Sequence, residues 1–241
     1  FTRFRKGLTA RHSGRQKAYY DGADFNVILQ TLPVWLVSLS NLHRVLPLQH
    51  QLFDMVIIDE ATQCDMASAI PALYRASRAV VVGDPKQLRH FSFLSYNHQE
   101  QLAIRHGLDV AEIETDYRNN SLIDFALDAV NPDRQVSILD EHYRSQPGII
   151  GFSNERFYDG KLKVMTNQPF EPDEKSVSVV TCEGRYEDGI NRDEARRIIE
   201  QLQELFQNSE PVSIGVLGLF SAQSDYLQEQ IMRHFDSETL S

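Results

Sequence analysis

Two apolar runs of this chain end in residues whose side chains can hold a metal and activate water. Met55-Val56-Ile57-Ile58 leads into Asp59-Glu60, and Ala79-Val80-Val81-Val82 leads into Gly83-Asp84, with Gln87 shortly after. A carboxylate at a strand tip holds Mg²⁺ mostly through water, because Mg²⁺ gives up its hydration shell reluctantly. A neighbouring carboxylate can then orient and deprotonate the attacking water. On this reading Asp59 takes the metal and Glu60 is the base. Gln87 cannot be a base, but its amide both donates and accepts, which suits a sensor of a phosphate or of the attacking water. An Asp-Glu pair after a strand also serves as a solvated turn or a helix cap. The second polar tip favours a Mg-nucleotide hydrolysis site over that alternative.

The elements around these residues must bring the two tips together. Both runs are rich in β-branched residues without alternation, the pattern of parallel strands buried on both faces. Between them Ala67, Ile70, Leu73 and Tyr74 fall at helical spacing, with Pro71 expected to shorten or kink the helix. Strand, helix, strand with a crossover puts both tips on one edge of a sheet, where open α/β sheets bind ligands. Pro33 to Leu39 reads as another strand, and Ser40-Asn41 at its exit either contacts a sugar-phosphate backbone or caps the next helix. Residues before Thr31 read as helical, with Tyr20, Phe25 and Ile28 on a broken apolar face.

Gln101 to His106 and Ser121 to Ala129 read as helices of an insertion spanning about 92–130, with Leu122, Phe125 and Ala126 as a core face and Asn131-Pro132-Asp133 ending it. Further on, Val177 to Thr181 and Ser213 to Leu219 read as strands. Helices follow from Asp193, with Ile198, Ile199 and Leu202 on one face, and beyond Gln223, with Tyr226, Leu227, Ile231 and Phe235. The sequence therefore implies an α/β protein.

Four segments, in order, resemble superfamily 1 helicases, in the branch of the nonsense-mediated-decay RNA helicase. Asp59-Glu60-Ala61-Thr62-Gln63 resembles their Walker B element (motif II), and Gly83-Asp84-Pro85-Lys86-Gln87-Leu88 their motif III. Leu139 to Pro147, followed by Phe152 and Phe157 to Leu162, is similar to their motif IV and the helix after it. Ile214 to Gln223 is similar to the strand and "PYxxQ" segment of their second motor domain.

The resemblance implies two RecA-like domains of the P-loop NTPase type, both incomplete. Residues 1–140 would be the C-terminal part of the first and 141–241 the N-terminal part of the second, with ATP and Mg²⁺ between them. It implies that Gln63, Gly83 and Asp84 border the nucleotide, that Arg144 reaches the γ-phosphate, and that Ser40, Asn41, Phe220 and Gln223 meet a single strand of DNA or RNA. A guanidinium is always charged and forks onto phosphate oxygens, the property such a role needs. A salt bridge to Asp140 or Glu141 is the plainer role for Arg144, as a local cap is for Gln223.

The chain departs from the family in four ways. No Gly-x-x-x-x-Gly-Lys-Ser/Thr occurs, so the phosphate cradle is missing, and so are motifs expected beyond Gln223. The chain is therefore expected to be an internal piece of a longer motor, inactive by itself, with the rest of the same polypeptide as its partner. Arg89-His90 stands where the family often has two prolines, which puts the motif III loop geometry in question. Phe220 stands where a Pro-Tyr pair is frequent, removing a hydroxyl that nucleic acid could meet.

Composition fits a cytoplasmic globular protein. Two cysteines among 241 residues argue against a disulfide framework, and no apolar run approaches membrane-spanning length. A net charge of -10 runs against nucleic-acid binding over the whole surface. The first segment is the exception: Arg3, Arg5, Lys6, Arg11, Arg15 and Lys17 precede any acid and form either a phosphate-contacting arm or a solvated helix. Two other classes remain open: a Mg-dependent nuclease using Asp59, Glu60 and Asp84 as a metal cluster, and a non-catalytic nucleic-acid-binding module.

Overall fold

Asp24, Asp65, Ser95 and Asn131 each accept a backbone N–H at the start of a helix, so these four starts are set by local polar side chains. A computed structural model describes residues 2–10, 12–108, 116–166, 176–208 and 213–236. Arg11 of the basic first segment lies outside the described residues. The chain divides into two compact units, Phe1–Asp140 and Glu141–Ser241.

In the first unit, helices α1 (Thr2–Thr9), α2 (Ser13–Asp21), α3 (Phe25–Thr31) and α4 (Leu39–Val45) precede strand β1 (Val56–Ile58). A 3-10 turn (Ala61–Gln63), helix α5 (Met66–Tyr74) and strand β2 (Ala79–Val81) follow, then α6 (Tyr96–His106), α7 (Leu122–Ala129) and the short α8 (Pro132–Gln135). β1 and β2 pair in parallel, with Val56 opposite Ala79 and Ile58 opposite Val81. The core gathers Phe4, Tyr20, Phe25, Ile28, Leu42 and Leu46 from the helices, Ile58 from β1, and Leu122 and Ile123 from α7.

Several expectations change here. Both strands were expected to be buried on two faces, yet Ile58 is buried while Ile57 is 66% exposed. Only one side of this two-stranded ladder is covered by the helices of the described residues. Within α5 the covered residues are Ala69 and Ala72, whereas Ile70 and Tyr74 are exposed. Pro71 lies inside α5 without ending it. Its carbonyl, with those of Leu46 and Pro47, accepts from the buried Arg75 guanidinium at 2.6–3.1 Å. Burial lowers the Arg75 pKa from its usual value, and the three carbonyls are the partners a buried guanidinium needs.

Residues 33–38 form no strand. They alternate as one would, with Trp35 and Val37 turned in and Val34 and Leu36 out, but no described strand pairs with them. Trp35 anchors the segment instead: its ring sits 5.6 Å from Phe4 and 6.1 Å from Phe25, and its N–H donates to the Leu32 carbonyl at 2.7 Å. Asn131-Pro132 starts α8 rather than simply breaking structure, because Asn131 caps the helix and proline suits its first position. α7 belongs to the core rather than to an excursion from it.

In the second unit, β3 (Glu141–His142) pairs in parallel with β4 (Lys163–Val164) across α9 (Pro147–Phe157). β5 (Tyr186–Glu187) and β6 (Ile190–Asn191) form an antiparallel hairpin, followed by α10 (Arg192–Asn208) and α11 (Ser221–His234). Ala195, Ile199 and Leu202 of α10 and Leu227 of α11 are buried, and these two helices pack together. Neither 177–181 nor 213–219 is a strand. Their apolar side chains stand in the open, Val179 at 89% and Leu217 at 95% exposure, with no ladder among the described residues. No described helix is long and apolar enough to cross a membrane.

Candidate functional site

The parallel register fixes where β1 and β2 end, and both exits emerge on one edge. Backbone bonds continue past the strands: Val82 N–H donates to the Ile58 carbonyl at 2.8 Å, and Ala61 N–H to the Val82 carbonyl at 2.9 Å. Asp59 and Glu60 are thus held beside Gly83 and Asp84. Both carboxylates are exposed, and an Asp59 oxygen accepts the Glu60 N–H at 3.0 Å.

Glu60 has a left-handed backbone, φ 52°, just before the 3-10 turn. A non-glycine residue there is strained, as it is at Gln51, Asp159 and Asp188, which have the same backbone away from these tips in sequence. Gln63 is exposed, its N–H closing the turn onto the Glu60 carbonyl at 2.9 Å. Cys64 lies close behind, its thiol donating to the Glu60 carbonyl at 3.5 Å. Burial, with the charges of Asp65 and Glu60, pushes that thiol's pKa up, so it is a poor nucleophile.

The loop after β2 is organised by Asp84. Its carboxylate accepts from the Lys86 N–H at 2.9 Å and from the Gln87 side-chain amide at 3.0 Å. Gln87 is itself exposed. Thr62, which the motif reading passed over, is fully buried, and its hydroxyl donates to the Asp84 carbonyl at 2.9 Å and accepts the Asp84 N–H at 3.1 Å. Gly83 leaves room for this contact: a Cβ there would sit 3.0 Å from the Thr62 hydroxyl oxygen and 3.2 Å from the Ala61 nitrogen.

Arg89 and His90, the residues in place of two prolines, tie the loop down. Arg89 donates to the Asn119 carbonyl at 2.6 Å and pairs with Asp124 at 2.8 Å. The His90 ring bonds the Tyr117 carbonyl at 2.8 Å, and its backbone N–H donates to the Thr62 carbonyl at 3.0 Å. The loop is therefore held by charge and hydrogen bonds where prolines would have stiffened it.

The other candidate residues sit on other elements. Ser40 and Asn41 are exposed in the first turn of α4, both bonded to the Ser38 hydroxyl, at 3.2 and 3.0 Å. Arg144 is exposed on the turn after β3. Glu141 is engaged by the Tyr143 hydroxyl, which raises the tyrosine pKa. His142 closes the Arg144 turn by accepting the Ser145 N–H at 2.8 Å. Phe220 is half exposed and meets Tyr186 edge-on at 6.0 Å.

Gln223 is buried: its amide accepts the Asn191 N–H at 2.8 Å and donates to the Asn191 carbonyl at 3.2 Å. That side chain joins α11 to β6, as a fixture of the fold. Among the described residues no group of three or more His, Cys, Asp or Glu is placed to hold a metal ion.

Two family models, each described as an AAA domain, match this chain, one over residues 23–92 and the other over 118–240. The second covers more than half of the chain, which therefore belongs to the AAA-domain family. Its relatives are helicases by name, in keeping with the superfamily 1 motifs. An uncharacterized ATP-dependent helicase of Mycoplasma pneumoniae, the MG140 homolog, is 28% identical over 212 residues, 86% of this chain and 18% of the relative. Helicase SEN1 of Saccharomyces cerevisiae is 26% identical over 220 residues, 80% of this chain and 9% of that protein. A putative helicase of Danio rerio, mov-10-B.2, is 34% identical over 116 residues, 46% of this chain and 11% of that protein. The chain thus spans less than a fifth of the length of these relatives.

Proposed function

We propose that this chain is part of an ATP-dependent nucleic-acid helicase or translocase that couples Mg-ATP hydrolysis to movement along a single strand of DNA or RNA. Residues 1–140 belong to the first of two RecA-like motor domains and 141–241 to the second, both incomplete in this stretch. One observation supports this reading above the others: the parallel β1–β2 ladder sets Asp59-Glu60 and the Gly83 to Gln87 loop on one sheet edge, the place where α/β sheets bind ligands.

In this scheme Asp59 is the residue to hold Mg²⁺, and a single exposed carboxylate suffices because that ion keeps most of its waters. When bound, the ion supplies neutralisation of phosphate charge. Glu60 orients and deprotonates the attacking water, and Gln87 senses the water or the γ-phosphate through an amide whose direction Asp84 fixes. Gln63 and Gly83 border the nucleotide, and Arg144 adds a charge that lowers the barrier to phosphoryl transfer. Ser40, Asn41 and Phe220 are the nucleic-acid contacts.

The nuclease alternative asks Asp84 to ligate a metal with Asp59 and Glu60, but the Asp84 carboxylate already accepts from Lys86 and Gln87. Without a Gly-Lys-Thr type loop the 241 residues lack the N–H nest and lysine that bind most of a triphosphate, so by themselves they turn over no ATP. The test is ATP turnover by the full-length polypeptide, stimulated by single strands. Glu60→Gln, which removes the base and keeps the shape, is expected to cut turnover about a hundredfold or more. Unchanged turnover in that variant overturns the proposal.

A further inference from the structure

We infer that Thr62 is a positioning residue of the candidate hydrolysis site, aligning Gln87 through Asp84. The inference rests on the reading of Gln87 as the sensor, and adds a residue that touches neither nucleotide nor water.

The geometry forms a short relay. Thr62 is fully buried, so its hydroxyl has no water to fall back on and must be satisfied by protein. It meets both backbone groups of Asp84, donating at 2.9 Å and accepting at 3.1 Å, across 22 residues of sequence. This fixes the Asp84 peptide against the 3-10 turn that begins after Glu60. The Asp84 carboxylate then holds the Gln87 amide at 3.0 Å, and the Gln87 N–H donates to the Asp84 carbonyl at 3.0 Å. The carbonyl of Thr62 takes the His90 N–H at 3.0 Å, so one residue grips the loop at its start and at its end. The close approach of Gly83, where any Cβ would crowd the hydroxyl, leaves little slack in the joint. A movement of the loop after β2 therefore reaches the Glu60 turn directly, and the base and the sensor keep one spacing.

Threonine and valine have nearly the same shape but only threonine can bridge, so Thr62→Val isolates the hydroxyl, and Thr62→Ser restores it. Backbone amide exchange in the full-length polypeptide reads the clasp without any activity. Asp84 N–H should exchange faster in Thr62→Val and at the native rate in Thr62→Ser. An unchanged rate in Thr62→Val overturns the clasp. Where valine at this buried site prevents folding, Thr62→Ala takes its place.

In the full-length polypeptide, Thr62→Val should lower kcat for ATP about tenfold or more, because both hydrogen bonds between the buried hydroxyl and Asp84 are lost, with KM unchanged. Thr62→Ser should recover most of it. In a Gln87→Ala background the same substitution should cost almost nothing further. An equal loss in both backgrounds overturns the positioning role while leaving the hydrolysis reading intact. Unchanged turnover in Gln87→Ala removes the sensor reading and the positioning role with it, whatever the exchange rates show.

Discussion

The strand tips of the first unit and the Arg144 turn of the second are both exposed, yet they are held in different ways. In the first, a fully buried hydroxyl, a glycine whose Cβ would crowd that hydroxyl, and ladder bonds running past β1 and β2 fix the backbone under Asp59, Glu60 and Gln87. In the second, the buried polar groups Asn191 and Gln223 bond to each other and join α11 to the hairpin, while in the Arg144 turn the Ser145 N–H donates to the His142 ring. In one unit the exposed candidate residues stand on backbone held by a buried polar side chain. In the other, the buried polar pair joins elements of the fold, and the candidate Arg144 is exposed on a turn apart from that pair in sequence.

If that contrast is right, removing Arg144 should touch function and leave stability alone. Arg144→Ala is expected to lower single-strand-stimulated ATP turnover of the full-length polypeptide about a thousandfold, the lower end of what such an arginine contributes. Thermal melting should be unchanged, since the side chain is exposed. Arg144→Lys should fail to restore turnover, because an ammonium cannot fork onto two oxygens. A fall in melting temperature with intact turnover would place Arg144 among the structural residues.

Gln223 should behave in the opposite way. Gln223→Ala strips both partners from the Asn191 backbone in a buried site, an expected loss of about 2 kcal/mol in the denaturant stability of the second unit. Single-strand affinity, measured by fluorescence anisotropy well below the melting temperature, should not change. Weakened binding with full stability would return Gln223 to the nucleic-acid surface, as its motif position implies.

The same two regions differ in how much could be read from sequence. β1, α5 and β2 were legible because β-branched runs, helical spacing and polar tips all agree on one local structure, and agreement across levels makes a segment predictable. Thr62 was not legible: a threonine inside a polar motif carries no sign of being fully buried, and its partner lies 22 residues away. Residues 33–38, 177–181 and 213–219 carry strand-like patterns, but a strand exists only where a neighbour completes its hydrogen bonds, and none is present among the described residues. The long amphipathic α10 was legible from Asp193 onward, since its apolar stripe is settled within one helix.

Glu60 gives the smallest effect on stability and the finest distinction. Its left-handed backbone costs an L-residue about 1–2 kcal/mol, while glycine takes that conformation freely and loses about 0.5–1 kcal/mol through its more flexible unfolded state. Glu60→Gly should therefore be as stable as the native chain or up to about 1.5 kcal/mol more stable, as read from urea unfolding. It should at the same time lose ATP turnover in the full-length polypeptide as fully as Glu60→Gln does. A residue kept for the fold would give the reverse, because its removal would destabilise the turn. Strain that is relieved when activity is lost marks a carboxylate retained for its chemistry at a backbone position better suited to glycine.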